Sequence, residues 1–200
     1  MDHPQKKRFR QLEPSSSALV FYWGVNKEFP ELDVHNILFS GDYKEEFTNL
    51  FQNKTIVSDP TVYIFVSSKM LKSDAPKNCE NWFVMVNAPA NSTENWDELI
   101  RTTKKNIIAK INKSLKTNIE DYIDHEKIAS PISIAQNTLS RGGALYGNSS
   151  NSMFAAFLRH PNFLKSVKNL YFVGGSVHPG GGIPLCLASA KIVSNEIPAQ

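Results

Sequence analysis

The residues with the clearest chemical use lie near the C-terminus, in Val173-Gly174-Gly175-Ser176-Val177-His178-Pro179-Gly180-Gly181-Gly182-Ile183-Pro184. Five glycines fall within nine residues, Gly174 to Gly182, so the backbone can turn sharply and approach a ligand where a Cβ would clash. Pro184 suits the first turn of a helix, where its missing N–H costs nothing. The apolar and small residues over 185–193 predict that this helix is buried. The start of such a helix holds about four unpaired N–H groups and a partial positive charge. With glycines in front of it, that end suits an electron-rich ligand, phosphate being the first candidate. A packed glycine turn without a ligand is the competing reading. The pattern is not a P-loop, since no Gly-Lys-Ser/Thr follows, and no G-x-G-x-x-G occurs anywhere in the chain.

Other reactive side chains give weaker signals. His178 sits inside the glycine turn, either as a base with no orienting carboxylate nearby in sequence or as a side chain hydrogen-bonded to the turn backbone. Cys186 falls on the apolar helix and reads as inert core. Ser176 lacks the G-x-S-x-G context of a nucleophile elbow. The histidines at 3, 35, 125, 160 and 178 never pair at ligand spacing, so no metal is expected. No catalytic acid, base or nucleophile can be assigned.

The elements that must position the turn are legible from hydrophobic period. Segments 18–25, 34–39, 61–66 and 82–88 are short, rich in aromatic and β-branched residues, and read as strands; the first is apolar enough to be central. Residues 170–173 read as a further short, buried strand leading into the glycine turn. Residues 42–51 predict a helix with Tyr43, Phe47, Leu50 and Phe51 on one side. Residues 95–116 are the clearest helix, with Asn95 and Glu98 as a capping box and Trp96, Leu99, Ile100, Ile107, Ile108, Ile111 and Leu115 at spacings of three and four. Its basic side chains Arg101, Lys105, Lys110, Lys113 and Lys116 form either a solvated face or a membrane-surface contact; Lys104 projects toward the apolar stripe. Residues 119–128 read as an edge strand, and 131–152, rich in Ser, Asn and Gly, as functional loops. The apolar run 153–158 then feeds the final motif.

Bulk properties exclude several classes. Two hundred residues with 41% hydrophobic content can bury a real core. A net charge of +3 from 22 Lys and Arg against 19 Asp and Glu gives no reason to expect nucleic acid. Cys79 and Cys186 are far apart and read as reduced thiols. No apolar segment follows Lys6-Lys7-Arg8, so no secretory leader is expected, and no run reaches membrane-span length. A cytoplasmic chain, soluble or peripheral to a membrane, is the expectation.

The segment from Leu170 to Pro184 resembles the C-terminal signature of the carotenoid desaturases, the phytoene dehydrogenase family, whose pattern is roughly LYxVG-x-x-x-HPG-x-GIP before a small-residue helix. Gly143-Ala144-Leu145-Tyr146-Gly147 and Phe157-Leu158-Arg159 carry the resemblance upstream, and 16–24 and 35–39 extend it more loosely. The resemblance implies a bound FAD contacted by Gly174, Gly175, Ser176, His178, Pro179, Gly180, Gly182, Ile183 and Pro184. It implies Tyr146 and Arg159 on the substrate side, Arg159 balancing charge on the flavin or serving only a surface ion pair. Gly175 stands where many flavin enzymes carry an acidic residue. The family begins with a strand–G-x-G-x-x-G–helix unit for the FAD pyrophosphate. The chain resembles the C-terminal portion alone, so it is expected to be inactive without that unit.

The fold implied is α/β of the α+β type. It comprises a mixed, mostly antiparallel substrate-domain sheet with helices, plus the last strand, turn and helix of a Rossmann-like FAD domain. Its divisions are a flexible or truncated segment 1–15, a substrate-binding region 16–160, and an FAD-contacting unit 161–200. The implied activity is desaturation of a carotenoid, an apolar polyene, beside a membrane. A hydroxycarotenoid desaturase, a carotenoid oxidase or isomerase, or a non-catalytic module binding an apolar ligand or a partner subunit are the alternatives.

Overall fold

A computed structural model describes residues 12–90, 95–149, 159–164 and 166–197. Five strands form one antiparallel sheet: β1 (Ser17–Val25), β2 (His35–Leu38), β3 (Val62–Val66), β4 (Glu80–Ala88) and β5 (Ile123–Ala129), in the order β2-β3-β4-β1-β5. The sequence dictates this layout through its period of two. In β3 and β4 every second residue is buried, which sends Val62, Ile64, Val66, Trp82, Val84 and Val86 to one face. The register sets Trp23 opposite Trp82 and Phe21 opposite Val84, so β1 adds Leu19, Phe21, Trp23 and Val25 to the same layer. Burying each such side chain contributes about 1.5–3 kcal/mol. β5, carrying Asp124, His125, Glu126 and Lys127, is the edge, and its charged, exposed middle discourages further pairing.

Among the described residues four α-helices accompany the sheet: α1 (Tyr43–Thr48), α2 (Trp96–Leu115), α3 (Pro131–Thr138) and α4 (Ile183–Glu196). α2 covers the buried sheet face with Ile107 and Ile111, flanked by Leu99, Ile100, Ile108 and Leu115. Its start differs from the expected capping box. Asn95 accepts from the Asp97 N–H, while Glu98 turns outward to pair with Arg101. Two lysines of α2 are engaged within the fold. Lys104 bonds Glu126, which also accepts from the buried Trp23 indole, and Lys110 reaches Asp59 and the carbonyls of Phe39 and Pro60. That hydrogen bond from Lys110, with another from the Gly41 amide, holds the Asp59 carboxyl below its usual range.

The opposite sheet face is open and aromatic. Tyr22, Phe83, Tyr63, His35 and Phe65 make a chain of ring contacts across four strands, with centroids 5.1 to 6.2 Å apart. α1 continues into a wider π turn at Asn49–Asn53 and ends at Lys54 with φ 56°. Tyr43, Phe47 and Phe51 touch in series along it, although among the four residues expected to pack only Leu50 is fully buried.

Several expectations need correction. The region expected to be all loop from 131 onward opens with α3, started by a reciprocal Ser130–Ser133 capping box and a proline in its first turn. The edge strand begins at Ile123, after a 3-10 turn at Ile119–Tyr122. Residues 12–15, assigned to a flexible segment, are tied down: Ser15 N–H bonds the Gly147 carbonyl and Glu13 pairs with Lys54. Residues 170–173 form no buried strand. Leu170 and Val173 are exposed, and Tyr171 makes one isolated bridge to Phe163, because no described strand lies alongside to complete a ladder. α4 is not buried all round either: Ser189 and Val193 face inward, whereas Ile183 is 78% and Leu187 66% exposed. Cys186 is accordingly half-buried rather than core. The apolar run expected over 153–158 lies outside the described residues.

Candidate functional site

The site is built where the chain entering β1 meets the loop after α3. Gly143, at φ +76°, packs so closely on α3 that a Cβ there would lie 2.2 Å from the Pro131 carbonyl oxygen. Its own carbonyl accepts from the buried Ser17 hydroxyl at 2.7 Å. Beyond it the two segments zip together. Leu145 N–H bonds the Ser16 carbonyl, Tyr146 N–H the Ser15 hydroxyl, and Ser149 N–H the Glu13 carbonyl. This fastening holds Tyr146 against the glycine turn.

The glycine turn has two sides. On one, Tyr146 lies directly over Gly181, where a Cβ would fall 2.0 Å from the ring, and the Arg159 guanidinium lies over Gly180, where a Cβ would fall 3.2 Å from it. Arg159 donates to the carbonyls of Tyr146 at 3.0 Å and Gly175 at 3.3 Å, so it clamps the loop to the turn. On the other side a Cβ at Gly174 or Gly182 would meet nothing within 4 Å. Gly182 adopts φ 94°, ψ 150°, a conformation open essentially to glycine alone, and starts α4 with no side-chain cap. The start of α4 thus lacks a side-chain cap, and Ile183 and Pro184 in its first turn are exposed. Ser176 backs onto Gly147, and His178 is exposed, joined to Pro179 by a cis peptide bond.

A buried hub that sequence reasoning missed holds the turn in shape. Asn162, only 3% exposed, shares its amide hydrogens among the carbonyls of Phe172 and His178 and the Ser189 hydroxyl, at 2.8 to 3.0 Å. Ser189, fully buried on α4, in turn accepts from the Gly174 N–H at 3.2 Å. The sequence signal was slight: Ser189 interrupts an apolar and small-residue run, and Asn162 stands between Pro161 and Phe163.

Between these parts lies a cleft of about 410 Å³. Of the sequence-predicted residues it brings together Tyr146, Arg159, Pro179 and Gly180, and it adds Phe51, Leu185, Ser16 and Asn148, which the sequence did not single out. Gly174, Gly182, Ile183 and Pro184 do not line it. Among the described residues no group of three side chains is arranged to hold a metal, and no helix is long and apolar enough to cross a membrane.

No protein-family model matches the chain. Comparison with curated proteins is decisive instead. The chain is 59% identical, over 93% of its length, to a 1-hydroxycarotenoid 3,4-desaturase of a Flavobacterium species. It is 33% identical over 98% of its length to a 4,4'-diaponeurosporene oxygenase of Staphylococcus haemolyticus, and 30% identical over 92% to a phytoene desaturase of Fusarium fujikuroi. The chain belongs to the carotenoid desaturase family. It spans 38%, 40% and 36% of the length of these three relatives, about two-fifths in each case. The resemblance read from the glycine turn is thus borne out across nearly the whole chain, and the relatives' names are those of oxidoreductases.

Proposed function

We propose that this chain forms the substrate wall and the flavin-facing turn of an FAD-dependent desaturase that extends the conjugation of an acyclic carotenoid. In this reading residues 16–160 receive the polyene and 161–200 face the cofactor. The supporting observation is the uncapped start of α4 behind Gly182, open on one side and adjoining the cleft on the other. Its fit to a planar, electron-rich group is physical: no Cβ stands at Gly174 or Gly182, and the amides after Gly182 are free of side-chain caps. The residues that would hold FAD are Gly174, Gly175, Ser176, His178, Pro179, Gly180, Gly182, Ile183 and Pro184.

When bound, FAD supplies the acceptance of a hydride equivalent from a saturated CH–CH unit. The chain's own part is orientation and exclusion of water. Arg159 locks the Tyr146 loop to the turn, Phe51, Tyr146 and Leu185 provide apolar walls, and the α4 amides favour developing negative charge. Such preorganised donors are typically worth about 2.7–4 kcal/mol each. Within this reading a hydroxylated carotenoid is the favoured substrate, because the 59% identical relative is named for a 1-hydroxycarotenoid and a 3,4 double bond.

A long apolar substrate also supports peripheral contact with the cytoplasmic face of a membrane. The exposed aromatic sheet face and the exposed Met70 and Leu71 are the surfaces suited to it. The test is to supply the full-length protein carrying this chain, loaded with flavin, with an acyclic hydroxycarotenoid in lipid micelles. The expected result is a red shift of the polyene absorption as conjugation lengthens. A flavin-loaded preparation that leaves the spectrum unchanged, with hydroxylated and unhydroxylated polyenes alike, overturns the reading.

A further inference from the structure

The lining of the cleft is mixed in chemistry. Phe51, Leu185 and Pro179 give it apolar surface, whereas Ser16, Asn148 and Tyr146 bring polar groups to the same lining. Within the described residues the neighbouring Ser15 hydroxyl is fully used, donating to the Ser16 carbonyl and accepting from the Tyr146 N–H. The Asn148 amide, the Ser16 hydroxyl and the Tyr146 hydroxyl bond no other described residue, and the zip between 13–16 and 145–149 fixes where they stand. A purely hydrocarbon ligand would leave these polar groups stripped of water without a partner, which disfavours its binding.

We infer that Asn148, assisted by Ser16, is the specificity-determining contact for an oxygen-bearing end of the polyene, receiving its hydroxyl in the same cleft that adjoins the glycine turn. This rests on the desaturase reading proposed above. An alcohol offers one donor and two acceptor sites, and an asparagine amide can satisfy both kinds. Placement agrees with the chemistry. In a 1-hydroxy polyene oxidised between C3 and C4, one carbon separates the hydroxyl-bearing C1 from C3. The hydroxyl must therefore lie in the compartment that holds the reacting bond. Ser16, Asn148, Pro179, Gly180 and Gly181 line one cleft of about 410 Å³, which meets that condition.

The experiment uses the full-length, flavin-loaded protein and two probes: an acyclic 1-hydroxy polyene and the same polyene lacking the hydroxyl. Equilibrium binding, followed by the polyene's own absorption, is measured beside kcat/KM for both. Because selectivity is a ratio, it does not depend on the fraction of a variant that folds. The wild-type protein should favour the hydroxylated probe. Asn148→Leu should lower that preference about 3- to 10-fold, the worth of one neutral hydrogen bond, in binding as well as turnover. Ser16→Ala should lower it less. A preference unchanged in Asn148→Leu, or absent in the wild type, overturns this assignment and leaves the desaturase reading standing. Failure to bind or convert either probe refutes both.

Discussion

Gly143→Ala is the sharpest test of how the site is held. At φ +76° an L-residue carries a conformational cost of roughly 1–2 kcal/mol. The added methyl would also lie 2.2 Å from the Pro131 carbonyl oxygen and 2.8 Å from its Cα. These are backbone atoms and cannot rotate aside. Either the first turn of α3 retreats by on the order of 1 Å, against its Ser130–Ser133 capping box, or the loop lifts away and stretches the Ser17–Gly143 bond of 2.7 Å. Overpacking of this kind costs about 1–3 kcal/mol. The sum is a loss of about 2–5 kcal/mol, read from the midpoint shift in urea at constant m-value. Because the same loop carries Tyr146, proteolysis within 144–149 should accelerate in parallel. A loss below about 1 kcal/mol, with the loop still protected, would show that Gly143 does not pin it and that the reasoning about the site's foundation is wrong.

Gly181→Ala should displace the Tyr146 ring and destabilise the chain, and Tyr146→Ala should relieve most of that cost; additivity in the double-mutant cycle would contradict the ring-on-glycine contact. Asn162→Ala, which strips the carbonyls of Phe172 and His178 and the Ser189 hydroxyl of a buried partner, should cost on the order of 2–4 kcal/mol in denaturant unfolding, whereas a surface-like value under 0.5 kcal/mol would remove the hub. Asp59 is held below its ordinary carboxylate value by Lys110, so its stabilising contribution is fully present above that value and is lost as pH falls through the lower folded one. Its side chain is 55% exposed, so the contribution is small and salt-sensitive; urea midpoints of wild type and Asp59→Asn should converge on acidification, and a gap that widens would contradict the sign.

What the sequence disclosed followed from where each physical signal is stored. In β3 and β4 the alternation of Val62, Ile64 and Val66 with Tyr63 and Phe65 is local, and it survived into the fold unchanged. The stripe of Ile107 and Ile111 on α2 was equally local. Burial of α4 and of residues 170–173 was misjudged because composition records what a segment is suited to pack against, whereas burial needs the neighbour itself. α3 was hidden by a Ser- and Asn-rich composition, although Ser130, Pro131 and Ser133 spelled out its start. At the site, the glycines were legible as a type that permits close approach, and Tyr146 through the resemblance that carried it. The Asn162–Ser189 bond joins residues 27 apart, and the cleft joins Ser16 to Asn148, so neither pairing has a local trace.

The outward side of α4 sets how the molecule behaves in a test tube. Ile183 and Leu187, one helical turn apart on the same side, are 78% and 66% exposed. Such a greasy ridge should make the 200-residue chain self-associate as its concentration rises, stick to chromatography media, and gain solubility from mild detergent. Sedimentation that grows heavier with loading, and returns to the monomer value when Leu187 is changed to Lys, would trace the stickiness to that ridge.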